Sequence, residues 1–139
     1  MNNYLKQQLE ILAKKAISEH KTIATAESLT GGGIAAALTE LSGSSEWFVG
    51  GIVTYNNTMK HKLLQVSAEI LSTKGAVCAE VVTMMTAGVL KATDADLAVA
   101  VSGVAGPAGG TEENPVGSVW IAWQIKGQQA ITEKFWFAG

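Results

Sequence analysis

A serine and a run of glycines lie together near the start of the chain, in residues 25–33 (TAESLTGGG). A short apolar run that is typical of a strand precedes this segment, and a run typical of a helix follows it over residues 34–41. Ser28 is therefore predicted to lie where a strand ends and a helix begins. The start of a helix offers unpaired backbone N–H groups and partial positive charge, which can hold an anion or stabilise an oxyanion beside a nucleophilic serine.

A nucleophilic serine needs a base, because its hydroxyl is weakly nucleophilic at its ordinary pKa. No Ser/His/Asp order is visible, and the Gly-x-Ser-x-Gly elbow of α/β-hydrolases is absent, since alanine and threonine stand at its glycine positions. A second apolar strand delivers Tyr55 and, shortly after it, Lys60 and Lys62. A lysine can act as a base when burial lowers its pKa. Ser28, Tyr55 and Lys60 would then meet at the strand ends, where open α/β sheets usually place their sites.

Each of these residues also has a structural interpretation. A serine before a helix is commonly an N-cap, and glycines can serve close packing of a helix on a strand. Glu27 could be another cap or an ion-pair partner. Tyr55 could be an amphipathic core residue, and the two lysines could lie on a solvated helix face.

A second glycine-rich segment covers residues 102–117 (SGVAGPAGGTEENPVG) and is the longest irregular stretch predicted. Successive glycines permit positive φ angles and let backbone N–H groups approach a ligand. Glu112 and Glu113 argue against a bare phosphate cradle and could instead orient a cationic or hydroxyl-bearing group. The alternative interpretation is a flexible surface loop.

The composition excludes several classes of protein. With 139 residues, 47% hydrophobic and 16% charged, the chain is most simply one compact domain. A net charge of -2 without a basic run argues against nucleic-acid binding. The single Cys78 excludes an intramolecular disulfide and favours a cytoplasmic setting. No signal peptide or membrane-spanning run is visible, and two distant histidines cannot build a zinc site with one cysteine.

The alternation of helices with apolar strands predicts an α/β fold, specifically a three-layer α/β/α sandwich with a mixed sheet and a C-terminal antiparallel hairpin. Helices are expected over about residues 3–20, 30–41, 59–66, 67–71 and 79–93, with Ser67 as the N-cap of the fourth. Strands are expected over about residues 23–26, 51–55, 97–101, 118–125 and 130–137.

Several motifs, taken in their order and spacing, closely resemble the CinA C-terminal domain family. They are residues 26–32 (AESLTGG), 43–48 (GSSEWF), 51–56 (GIVTYN) with Lys60, 75–77 (GAV), 102–110 (SGVAGPAGG) and 115–119 (PVGSV). The resemblance covers nearly the whole chain. It implies an α/β/α sandwich and an amidohydrolase that converts nicotinamide mononucleotide (NMN) to nicotinate mononucleotide and ammonia. It also implies that no metal or cofactor takes part.

The resemblance further implies roles for individual residues. Ser28 would be the nucleophile and Lys60 its general base, with Tyr55 in the proton network. Backbone N–H groups around Thr30, Gly31 and Gly32 would stabilise the oxyanion. Substrate would be bound by a larger set, which comprises Glu27, Gly103, Gly106, Gly109 and Gly110.

In the family, the strand that resembles residues 135–139 is normally followed by an acidic–Arg motif and a last helix. We therefore expect residues 1–139 to form a single domain of this family that lacks that helix. One alternative to an active enzyme is a weak or inactive member that binds a nucleotide or a protein partner. The other is an interaction domain whose glycine loops serve packing only. A homo-oligomer is expected, because the C-terminal strand ends without a covering element.

Overall fold

The computed structural model describes residues 1–138, which contain both strands and helices. The strands are β1 (Ile23–Glu27), β2 (Phe48–Val53), β3 (Leu97–Gly103), β4 (Ser118–Ile125) and β5 (Ile131–Trp136). The α-helices are α1 (Asn3–Ser18), α2 (Gly33–Thr39), α3 (Asn57–Leu64), α4 (Ala68–Lys74) and α5 (Ala79–Thr93), with a 3₁₀ turn at Ser44–Glu46. None of these helices is both long and apolar enough to span a membrane.

The strands form one mixed sheet in the order β2-β1-β3-β4-β5. Strand β1 is parallel to β2 and to β3, whereas β3, β4 and β5 are antiparallel to their neighbours. The predicted mixed sheet and C-terminal hairpin are thus confirmed. The carboxyl ends of the three parallel strands lie at one edge of the sheet, which is where a site is expected in this kind of fold.

Helices cover both faces of the sheet, which confirms the predicted α/β/α sandwich. On one face, small side chains such as Ala24, Ala26 and Ala100 pack against the apolar face of α5, including Val82 and Met85. The other face packs against α1 and α2 in a second cluster, which contains Ala16, Ile23, Leu38 and Trp47. Because β3 is covered on both faces, its sequence is a continuous apolar run over residues 97–101.

One difference from the predicted elements is at the start of α2, which begins at Gly33 and not at residue 30. Gly31 and Gly32 adopt left-handed φ angles of 61° and 103°, so residues 28–32 form a turn that leads into the helix. Strand β2 starts earlier than predicted, at Phe48, because two glycines within it weaken the strand signal in the sequence. Helix α3 also starts earlier, since the Asn56 side chain accepts a hydrogen bond from the Met59 N–H and caps the helix.

A close contact between α5 and α3 leads to a prediction about stability. A β-carbon on Gly88 would meet the Leu64 carbonyl oxygen and lie 2.8 Å from Leu64 Cα. Because these neighbours are backbone atoms, Gly88→Ala should push the two helices apart and lower the free energy of unfolding by about 3 kcal/mol, as overpacking does. Denaturant unfolding at 25 °C measures this change.

The matched control is Gly33→Ala in α2, where a β-carbon would meet no atom within 4 Å. That variant should differ from the wild type by less than about 1 kcal/mol. If Gly88→Ala were as stable as Gly33→Ala, this result would contradict the close approach of α3 and α5 at Gly88.

Candidate active site

Ser28 and Lys60 are in direct contact at the carboxyl edge of the parallel strands. The Lys60 Nζ lies 3.0 Å from the Ser28 Oγ, although the residues are 32 positions apart in the chain. Both are buried, with 1% of Lys60 and 6% of Ser28 exposed. The structure therefore brings together the two side chains that the sequence suggested as nucleophile and base.

Helix α3 holds Lys60 in this position. Lys60 and Leu64, one helical turn apart, are the buried residues of α3, so the lysine lies on the face that packs against α5. The Thr54 carbonyl oxygen accepts a second hydrogen bond from the Lys60 Nζ at 3.0 Å. The Thr54 N–H donates in turn to the Glu27 carbonyl at 2.8 Å, which links the end of β2 to the end of β1. These hydrogen bonds to the backbone hold the Lys60 amine in a position where it contacts Ser28.

Burial lowers the pKa of the Lys60 amine from its usual value of 10.5, because desolvation disfavours the ammonium form. Among the described residues, no carboxylate lies within 4.0 Å of the Lys60 Nζ to favour that form. A neutral amine has one lone pair and two N–H groups. The lone pair can accept the Ser28 O–H while one N–H donates to the Thr54 carbonyl, which is the arrangement that a general base requires.

In the turn that follows Ser28, some backbone N–H groups donate to carbonyls of the turn and others have no acceptor among the described residues. The Gly31 N–H donates to the Ser28 carbonyl and the Gly33 N–H donates to the Thr30 carbonyl, both at 3.0 Å. The Gly31 N–H is thus engaged within the turn, unlike the free oxyanion donor that was expected at this residue. Within residues 1–138, the N–H groups of Leu29, Thr30 and Gly32 have no acceptor. An oxyanion site at this turn would therefore use Thr30 and its neighbours and not Gly31.

Glu27, which was expected to bind substrate, directs its buried carboxylate at helix α2. Its oxygens accept hydrogen bonds from the Thr30 hydroxyl at 2.5 Å and from the Ile34 and Ala35 N–H groups at 2.9 Å. Only 1% of Glu27 is exposed. The cap that the sequence left open as an alternative is the contact that the structure shows, and substrate binding by Glu27 stays a prediction.

Tyr55 is not brought into contact with the Ser28–Lys60 pair. It follows β2 and has 71% of its surface exposed. In the described part of the chain, its hydroxyl makes no hydrogen bond to Ser28 or Lys60. A role for Tyr55 in proton transfer therefore stays a prediction.

The four glycines expected to bind substrate lie at the end of β3 and in the irregular loop of residues 104–117 that follows it. Gly103 and Gly110 are closely packed. A β-carbon on Gly103 would clash with the Ser118 carbonyl oxygen, and one on Gly110 would lie 2.8 Å from the Val116 N. Gly106 and Gly109 adopt left-handed φ angles of 81° and 94°. These packing and conformational needs explain the glycines within the loop, and their contact with substrate stays a prediction.

Sequence reasoning missed two parts of this site. The Thr54 carbonyl gave no signal, because any residue type offers a backbone carbonyl. The Asn56 cap of α3 was also missed, although Asn before a helical run is a preferred N-cap and could have been found that way. Within residues 1–138, no cluster of three or more His, Cys, Asp or Glu side chains could hold a metal ion.

Comparison with known proteins shows which family the chain resembles. Residues 5–139 match the model of the CinA C-terminal domain. The chain is 51% identical over 117 residues to the nicotinamide-nucleotide amidohydrolase PncC of Enterobacter agglomerans, an alignment that covers 84% of this chain and 71% of that protein. It is 48% identical over 118 residues to the protein of the same name in Escherichia coli (strain K12), with 85% and 72% covered.

A solved structure confirms the fold. The competence damage-inducible protein A (ComA) from Klebsiella pneumoniae superposes with a TM-score of 0.93 at 40% identity, over 99% of this chain and 84% of that one. Sequence, fold and the family model thus agree along nearly the whole described chain. The chain belongs to the CinA C-terminal domain family.

Proposed function

We propose that this protein is an amidohydrolase that converts NMN to nicotinate mononucleotide and ammonia, with Ser28 as nucleophile and Lys60 as general base. The observation that carries the proposal is the 3.0 Å contact between the buried Lys60 amine and the Ser28 hydroxyl. The relatives named nicotinamide-nucleotide amidohydrolase supply the substrate class. A buried Ser–Lys pair suits acyl transfer, because burial keeps the lysine available as a base.

The reaction can be written with its protons balanced. Ser28 Oγ attacks the carboxamide carbon of the nicotinamide ring while the neutral Lys60 amine takes the hydroxyl proton. Backbone N–H groups of the turn after Ser28 stabilise the oxyanion. When the C–N bond breaks, Lys60 returns the proton to the departing nitrogen, so ammonia leaves and an acyl-enzyme ester remains. Water then attacks the ester while Lys60 takes one of its protons. When the ester C–O bond breaks, Lys60 returns that proton to Ser28 Oγ, and the released acid loses its own proton to solvent to give the carboxylate product.

The direct test is to incubate the purified protein with NMN and to measure both products. Ammonia is followed by a coupled assay and nicotinate mononucleotide by chromatography, with Ser28→Ala as the control. Equal formation of both products by the wild type alone supports the proposal. Saturable NMN binding without products would instead favour a binding protein, and turnover no greater than that of Ser28→Ala would rule out the serine mechanism.

The lowered pKa of Lys60 predicts the pH dependence of the reaction. Only the neutral amine accepts a proton, so kcat/KM should rise with pH up to the pKa of Lys60, which lies below 10.5. The same shift affects stability, because between the folded and unfolded pKa values the unfolded chain binds more protons at Lys60. The contribution of Lys60 to the free energy of unfolding should therefore increase as pH rises through this window, which stabilises the folded protein. A rate profile that is flat with pH would contradict a lysine base.

We also propose a single domain over residues 1–139, a cytoplasmic setting and a homo-oligomer. Large apolar side chains of the C-terminal strand region are exposed, namely Ile131 (70%), Trp136 (62%) and Phe137 (54%). Exposed apolar surface of this kind favours association. Light scattering after size-exclusion chromatography should give a mass greater than that of one chain, and a strictly monomeric mass at micromolar concentration would contradict the oligomer.

A further inference from the structure

The carboxylate next to the nucleophile has a contact pattern that the proposed reaction does not use. Glu27 Oε1 accepts hydrogen bonds from both the Thr30 hydroxyl (2.5 Å) and the Ile34 N–H (2.9 Å), and Oε2 accepts from the Ala35 N–H (2.9 Å). A buried carboxylate is costly unless it is paired in this way. The three contacts bind the end of β1, the turn after Ser28 and the first turn of α2 into one unit.

An ordinary helix cap would not need this arrangement. The N-cap of α2 is Gly32, which has no side chain to accept from the helix N–H groups. Glu27 supplies that cap from the preceding strand, across the turn that carries Ser28. A cap on the helix alone would need only the Ile34 and Ala35 contacts. The additional bond to the Thr30 hydroxyl acts on the turn itself.

The turn that these contacts hold contains backbone N–H groups that have no acceptor among the described residues. Gly31 and Gly32 have left-handed φ angles, which only glycine adopts readily, and the Leu29, Thr30 and Gly32 N–H groups have no acceptor within the described chain. Without a tether, a glycine-rich turn samples many conformations, and ordering it during the reaction costs entropy. Donors that are already in place stabilise a developing oxyanion far better than mobile ones.

We propose that the buried Glu27 carboxylate and the Thr30 hydroxyl form a clamp that positions the Ser28 turn for oxyanion stabilisation. In this assignment Glu27 is a positioning residue and not a substrate ligand. Thr30 acts through its side chain on the turn and through its N–H on the oxyanion. The inference rests on the proposed function only for the identity of Ser28 as the nucleophile.

The test compares Thr30→Val, which removes the hydroxyl but keeps the shape, with Thr30→Ser, which keeps the hydroxyl. Glu27→Gln is the companion variant. The matched control is Thr39→Val, which removes a threonine hydroxyl that bonds the Ala35 and Ala36 carbonyls near the other end of α2. Each protein is reacted with a fluorophosphonate, whose phosphorus is attacked by a nucleophilic serine with loss of fluoride. Mass spectrometry identifies the labelled residue and the labelling rate.

Thr30→Val should label Ser28 about tenfold to a hundredfold more slowly than the wild type, because the turn is misplaced. Its kcat for NMN should fall by the same factor with little change in KM. Thr30→Ser and Thr39→Val should keep most of the wild-type labelling rate. Glu27→Gln should resemble Thr30→Val if it folds, and Thr30→Val carries the test if it does not.

The outcomes separate this inference from the proposed function. A role in stability alone would lower the Tm of Thr30→Val and leave the labelling rate of the folded protein unchanged, which would overturn the clamp. Ser28 labelling that is slowed in Thr30→Val, in a wild type that does not hydrolyse NMN, would support the clamp and reject the substrate. Absence of labelling at Ser28 in the wild type would overturn both.

Discussion

Replacing Ser28 by alanine is expected to lower kcat for NMN by roughly 10⁴-fold or more, as loss of a nucleophile does in other serine enzymes. The hydroxyl is the only group at this position that can form the acyl-enzyme. Its removal leaves the Lys60 Nζ bonded to the Thr54 carbonyl, so the surrounding structure is retained. The Tm should therefore stay close to that of the wild type while ammonia release falls to background.

The matched control for this variant is Ser72→Ala. Ser72 is an exposed serine of α4 whose hydroxyl donates to the Glu69 carbonyl of its own helix. We expect Ser72→Ala to keep wild-type kcat and KM. If Ser28→Ala retained more than a small percentage of the wild-type kcat, another group would have to be the nucleophile.

Replacing Lys60 by methionine should lower kcat by about 10³-fold to 10⁴-fold, because the amine serves both as base and as donor to the leaving ammonia. Methionine keeps much of the buried apolar stem and removes only the amine, so the packing of α3 on α5 is disturbed as little as possible. The loss should not be recovered at high pH, since the variant has no group that titrates at this position. Steady-state rates of ammonia release across the pH range measure both effects.

Two further variants test whether the loss is specific to Lys60 and whether Lys60 acts together with Ser28. Lys62→Met changes an exposed lysine two residues away on the same helix and should leave kcat unaltered. The double variant Ser28→Ala with Lys60→Met should be no slower than Ser28→Ala alone, because the two side chains act as a unit. Additive losses in the double variant would show that Lys60 acts on some other step.

Elements with a strong local signal were predicted from the sequence with little error. Helix α5 and strand β4 have the predicted bounds, and Ser67 caps α4 by accepting from the Ile70 N–H as proposed. In these segments, apolar periodicity and capping agree with the tertiary packing. The bounds of α2 and β2 were less accurate, because glycines dominate both regions and carry little helix or strand preference.

The site was predictable in its residue types and less so in its contacts. Ser28 and Lys60 could be proposed because a strand-to-helix junction and a lysine after a strand are visible in the sequence. Tyr55 carried a similar signal, yet its side chain is exposed and apart from the pair. A sequence pattern does not distinguish the two, because burial at the end of a strand depends on which helix packs above it.

The sequence by itself therefore determined the α/β architecture, the junction that holds Ser28 and the glycines that this turn needs. These depend on local preference and on periodicity, which act over a few residues. Only the tertiary structure decided that the Lys60 amine is buried against Ser28, that the Thr54 carbonyl orients it and that Glu27 caps α2. The physical reason is that these contacts join residues on different elements, and the packing of α3 on α5 at Gly88 sets the position of Lys60.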